Sequence, residues 1–197
     1  MEPTRILIAE HRVIETVIVC IERMVDETQN SGKLDASLAE QAIEFVRKFA
    51  DGCHHAKEEL RLFPAMEHKG MPRQGGPIAV MLMEHEHGRA FVKGMVENLK
   101  SASAGDPQAI SDFSHNAIGY ANLLKQHIHK EDHILFPMAD RMMSAEDESA
   151  LMKQFEEAET ETGEGVHERL LSIAESLANR YGVSTEHIHH MRHQIGR

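Results

Sequence analysis

The sequence predicts an all-α protein, an up-down-up-down four-helix bundle with additional C-terminal helices. Three observations lead there. Apolar residues recur at helical spacing along most of the 197-residue chain, and no segment reads convincingly as a strand. Clusters of Gly, Pro and Asn divide the chain into long helical stretches. The first four stretches form two similar halves, because HHAKEELRLFP at 54–64 returns as HIHKEDHILFP at 127–137. Short turns make successive helices antiparallel neighbours, so each half is a helical hairpin.

The first helix is expected from about Thr4 to Thr28, with Ile6, Val13, Val17, Cys20 and Met24 near helical spacing; Asn30, Ser31 and Gly32 end it. The second runs from about Ala36 to Ala65, softened at Gly52 and ended or kinked at Pro64. Residues 69–77, rich in Gly and Pro, form a loop, and the third helix follows from about Ile78 to Ala102. Asp106 then caps a fourth helix that begins at Pro107 and reaches about Met142. Ser144 and Asp147 have the spacing of a capping box and open a fifth helix near 145–161. Gly163 and Gly165 break the chain before a sixth, from about Val166 to Tyr181, which carries Leu170, Leu171, Ile173, Ala174 and Leu177. Ser184 can cap a short terminal helix holding the His-rich stretch 187–193. The expected division is a bundle at 1–143, with hairpins at about 4–67 and 78–142, and a helical extension at 144–197 packed on it.

A formal charge of −11 argues against nucleic acid or an anionic membrane as the main partner. No apolar run approaches the ~20 residues that span a bilayer, and the N-terminus lacks the pattern of a signal peptide. The two cysteines, Cys20 and Cys53, make no disulfide framework and read as free, partly buried thiols in a reducing cytoplasm. Met81, Met83, Met142 and Met143 read as core residues.

The repeat carries the chemistry. Upstream of each copy stands a Glu-His pair, Glu10-His11 and Glu84-His85, at nearly equal intervals from His54 and His127. Residues four apart share a helix face, so His54 points with Glu58 and His127 with Glu131. His11 and His85 add one imidazole each from the facing helix. Four imidazoles and two carboxylates suit a pair of metal ions, with Glu58 and Glu131 free to bridge. Imidazole with carboxylate and open positions suits iron, with manganese or zinc as substitutes. A single His-x-x-x-Glu pair is more often a solvated surface pair. Recurrence in register beside apolar Leu-Phe-Pro outweighs that reading, since burying so many ionisable groups without a partner is costly. The Leu-Phe-Pro pieces read as packing and helix termination.

These motifs resemble those of the hemerythrin-like proteins, the HHE cation-binding domains, over about residues 4–142. In that resemblance His11, His54, Glu58, His85, His127 and Glu131 each fall on a metal-ligand position. It implies two non-haem iron ions, oxo- or hydroxo-bridged and carboxylate-bridged, inside a four-helix bundle. It also shows a departure. The oxygen carriers of the family present His-x-x-x-His on the third helix, whereas here His85 is followed one turn later by Arg89. The chain therefore looks closer to members linked to iron sensing, peroxide or nitric-oxide chemistry, and repair of iron centres.

Several residues are candidates to complete the shell. His55 lies about 100° around an α-helix from His54 and reads as solvated, as do His129 and His133. A loop at Gly163 and Gly165 can deliver His167 to the bundle mouth as a further ligand or a partner to one. Tyr120, two turns before His127, is a candidate donor to an oxygen ligand, against the alternative of a core tyrosine. Glu15 and Arg89 occupy equivalent places in the two halves, and a partly buried ion pair between them is expected beneath the metals. The His-rich end reads as a flexible tail or a weak metal binder. The favoured function is a non-haem di-iron protein that binds or responds to oxygen, peroxide or nitric oxide. The alternatives are a di-iron enzyme that consumes peroxide or donates iron for repair, and iron storage or transfer; the sequence singles out no catalytic residue.

Overall fold

A computed structural model describes residues 1–163 and 165–195. Helix α1 spans Glu2–Ser31 and ends on Gly32, whose φ of 70° supplies the left-handed turn that a glycine accepts without strain. α2 (Ala36–Phe45) is capped by the Asp35 carboxylate and continues without a break into a π-helical stretch, Val46–His55. A second π turn, Glu58–Leu62, leads into α3 (Phe63–His68). α4 (Pro77–Ser103) and α5 (Pro107–Lys130) form the second hairpin, with the Asp106 side chain capping α5 as expected. α5 passes through a π turn, Glu131–Leu135, into α6 (Phe136–Met142). α7 (Ala145–Thr162) opens on a full capping box of Ser144 and Asp147; α8 (Val166–Tyr181) and α9 (Glu186–Ile195) follow.

The long helices expected at 36–65 and 107–142 are thus helical throughout but change gauge. The repeated π turn has a cause in the sequence. Proline has no N–H to donate, and its ring crowds the carbonyl four residues earlier. Pro64 and Pro137 each follow a residue whose N–H reaches back five positions, Phe63 to Glu58 and Phe136 to Glu131. The wider turn accommodates the proline and begins at the repeated glutamate. Such single-turn π segments concentrate at functional sites.

The four long runs form the bundle, and α8 packs against both α1 and α2 along the seam between them. Leu170, Leu171, Ala174 and Leu177 of α8 are fully buried in the same apolar cluster as Val17, Phe45, Phe49 and Phe113. A second cluster fills the other end of the bundle, where Leu62, Phe63, Leu135 and Phe136 meet Ile78, Met81, Leu151 and Phe155. The Leu-Phe-Pro pieces are therefore core. Met83 departs from its expectation, being half exposed. α9 is an amphipathic helix rather than a loose tail: Ile188 and Met191 are buried, and Arg192 pairs with Glu168 and Glu175. Among the described residues no helix is long and apolar enough to cross a membrane.

Candidate metal centre

Between the two apolar clusters lies a polar layer. His11, His54, His55, Glu58, His85, His127 and Glu131 are all buried, the two carboxylates at 0% exposure. They gather into two groups, His11 with His54, Glu58 and Glu131, and His55 with His85, His127 and Glu58; within each, one ligand atom per residue lies within 4.8 Å of the others. Glu58 belongs to both. Its Oε1 stands 3.6 Å from His54 Nε2 and its Oε2 3.5 Å from His85 Nε2. Glu131 Oε2 stands 3.2 Å from both His11 Nε2 and His127 Nε2.

The tautomers follow from the surroundings. His54 Nδ1 faces Glu10 at 2.9 Å and His127 Nδ1 faces Glu84 at 3.0 Å. Crosswise, His11 Nδ1 faces Asp132 at 2.7 Å and His85 Nδ1 faces Glu59 at 2.6 Å. A carboxylate only accepts, so each Nδ1 donates its proton and each Nε2 turns a lone pair inward. Behind each carboxylate stands a cation: Lys57 on Glu10 and Lys130 on Glu84, in register, and Arg12 on Asp132 and Arg89 on Glu59, from positions that are not equivalent in the repeat. This carboxylate–histidine pattern is what orients imidazoles for metals.

With both carboxyls ionised, the layer is a cluster of acceptors without donors. Among the described residues, His11 Nε2, His54 Nε2 and all four oxygens of Glu58 and Glu131 are buried with no hydrogen-bond partner outside the layer itself. His85 Nε2 and His127 Nε2 face each other at 3.1 Å. Buried lone pairs aimed at one another are unfavourable unless a cation lies among them. Burial pushes Glu58 well above the usual carboxylate range; burial and then the charge of Glu58 do the same to Glu131. Burial likewise depresses His54 and His55, and brings His127 down to about 4, so these rings are neutral near pH 7. Neutral imidazoles with carboxylates that only a positive charge would ionise are a donor set that fits metal ions.

Three expectations change. His55 is 5% exposed rather than solvated, with its ring stacked on His85 at 3.8 Å between centroids. It lies in the π stretch, where successive residues are separated by less than the α-helical angle, so both His54 and His55 turn inward. Its Nδ1 faces Asp51 at 3.4 Å. Burial alone would raise Asp51, but hydrogen bonds from His55 and Arg89 override it and hold Asp51 at about 2. Arg89 does not meet Glu15. It pairs with Asp51, Glu59 and Glu86, while Glu15 pairs with Arg12 on its own helix. The repeat predicted equivalent positions, but three neighbouring carboxylates take the guanidinium instead. His167 joins neither group; its Nδ1 donates to Glu159 at 2.8 Å. His129 and His133 are exposed, as read, and the His-rich stretch at 187–193 contributes to no metal-type group among the described residues.

Tyr120 is 2% exposed and its hydroxyl has no partner among the described residues. It lines a cavity of about 400 Å³ with Asp51, His55, His85, Gly88 and Arg89. The cavity therefore borders the layer at its His55–His85 edge. Sequence reasoning passed over the paired cations and acids behind the ligands, although their signal was present: Lys57 matches Lys130, and Glu59 matches Asp132.

The chain is 23% identical over 153 residues to an uncharacterised protein of Mycobacterium bovis and, equally, to two of Mycobacterium tuberculosis. That match covers 78% of this chain and 59% of each relative, so the chain spans little more than half their length. No solved structure matches. The family model of the hemerythrin HHE cation-binding domain matches residues 2–139, which contain both halves of the repeat and every member of the two groups, and the chain belongs to that family.

Proposed function

We propose that this protein holds two iron ions in the two His/Glu groups and uses them to bind or respond to a small oxidant or diatomic ligand: oxygen, peroxide or nitric oxide. One observation carries the reading. Buried ligand atoms from four helical runs converge without donors, and Glu58 is common to both groups. Manganese or zinc can occupy such a donor set, but imidazole with carboxylate and open positions suits iron.

Two iron ions would supply redox-active centres with positions open to a small ligand. The chain supplies the rest. Five imidazoles and two carboxylates form the donor set, distributed unevenly, because His55 has only Ile128 at its equivalent in the repeat. The Arg89–Asp51 pair holds His55 in place, so the arginine that replaces the oxygen carriers' extra imidazole supports an imidazole from another helix. The cavity beside His55 and His85 admits the ligand, and the Tyr120 hydroxyl is a hydrogen-bond donor on its wall. The two apolar clusters keep bulk water from the layer.

The test is anaerobic reconstitution with Fe(II), a metal count, and then exposure to oxygen, peroxide or nitric oxide. Two irons per chain, with near-ultraviolet charge-transfer absorption that changes on exposure, are expected. Protein that retains no iron, or iron that ignores all three ligands, would refute the reading.

A further inference from the structure

Apart from His55, the donors of the two halves of the centre correspond, but what lies behind them differs. In the second half Glu84 accepts from His127 Nδ1 and from Lys130, and Lys130 is a third exposed. In the first half Glu10 accepts from His54 Nδ1 and from Lys57, but Lys57 is buried and its ammonium also contacts Glu159. Glu159 lies on α7, outside the matched domain. Its Oε2 accepts from His167 Nδ1 at 2.8 Å, and the His167 ring stands edge-on to Phe49 with centroids 5.0 Å apart. An unbroken line of polar contacts thus joins His54, Glu10, Lys57, Glu159 and His167.

Glu10 serves two donors. With Glu10 as its only carboxylate, the Lys57 ammonium would pull that side chain toward itself and away from His54. Buried charges lack the screening that water gives, so such a pull is strong. Glu159 on the far side shares the ammonium and balances it. The Lys57 ammonium thus sits between two carboxylates, Glu10 and Glu159.

The geometry points to Glu159 as a positioning residue for the metal position at His11 and His54. Through Lys57 and Glu10, the C-terminal helices set the orientation of His54 and hence the affinity of one metal position of the pair. This rests on the two-metal reading above. Among the described residues Lys130 pairs with Glu84 and no second carboxylate backs it, so the effect is one-sided. Outer partners of a ligating histidine change metal affinity by roughly 10- to 100-fold; Glu159 acts one link further out, and about 3- to 10-fold is expected.

The experiment uses the full chain with Zn(II) as probe. Wild type and Glu159→Gln are titrated against a competing chelator, and the Nδ1–H resonances of His54 and His127 are followed in the zinc-loaded proteins. The expected result is two zinc equivalents in each, one of them weakened in the variant, with the His54 signal shifted and the His127 signal unmoved. Glu159→Asp, which keeps the charge, should restore part of the loss. If Glu159→Gln fails to fold, Glu159→Asp carries the test, and its shorter arm must still move the His54 signal alone. Two equivalents bound as in wild type, or weakened equally, overturn the inference while leaving the two-metal reading intact. Wild type that takes up fewer than two zinc ions overturns that reading itself.

Discussion

Replacing Glu58 with Met should make the metal-free protein more stable and leave it unable to hold the metal pair. Glu58 is 0% exposed, both its oxygens lack a protein partner, and it belongs to both ligand groups. A buried polar group without a partner costs about 1–3 kcal/mol, and an apolar residue of similar shape relieves that cost. Methionine is close in length and volume, so the metal-free variant should gain about 2 kcal/mol. For a chain of this size that raises Tm by roughly 4–8 °C. Metal acts in the opposite direction. An ion present at a hundredfold excess over its Kd stabilises the wild type by about 2.7 kcal/mol, and the variant, stripped of the shared carboxylate, should respond little. The order of melting should therefore invert between calorimetric scans in chelator and scans in Zn(II) or anaerobic Fe(II). Glu58→Met melting below wild type in chelator, or rising equally with metal, would refute the argument that this layer is held in an unfavourable state for the sake of the ions.

Asp51→Asn removes the carboxylate that orients His55 and should weaken the His85–His127 position roughly tenfold in a chelator competition; an unchanged curve would remove His55 from the donor set. Metal affinity should fall as pH drops from about 8 to 5. Glu58 and Glu131 are raised above the carboxylate range and must release protons to an entering cation, whereas the depressed imidazoles compete only in acid. Calorimetric titrations in two buffers of unequal ionisation enthalpy should show proton release on binding, and equal heats would count against it. Gly119→Ala places a Cβ 2.5 Å from Phe91 Cε1, between α4 and α5. A loss of about 1–3 kcal/mol in the free energy of urea unfolding is expected; a gain would mean that Phe91 swings aside and helix propensity wins.

Much of the site was legible because it is written twice. Register between 54–64 and 127–137 selects His54 over any neighbour and Glu58 over Glu59, and the fold places His54 and Glu58 in the ligand layer. The same register held the supporting residues, Lys57 with Lys130 and Glu59 with Asp132, whose role emerged only when the structure set the acids behind imidazoles and the lysines behind Glu10 and Glu84. What the repeat could not carry is what it does not repeat. His55 faces inward because the chain changes gauge ahead of it, a backbone choice that α-helical geometry does not anticipate. Arg89 turns to Asp51 and Glu59 because they are near, and Glu15 is left to Arg12.

The sequence by itself determined the helical bundle, its two hairpins and the six repeated residues of the candidate site, because apolar periodicity and i, i+4 spacing are local properties of a chain. Only the tertiary structure decided that His55 joins that buried layer, which cations stand behind each carboxylate, and the line from His54 to the C-terminal helices. Those depend on which charged groups are buried together. Burial strips away solvent, so each charge must find its partner in whatever element the fold brings alongside.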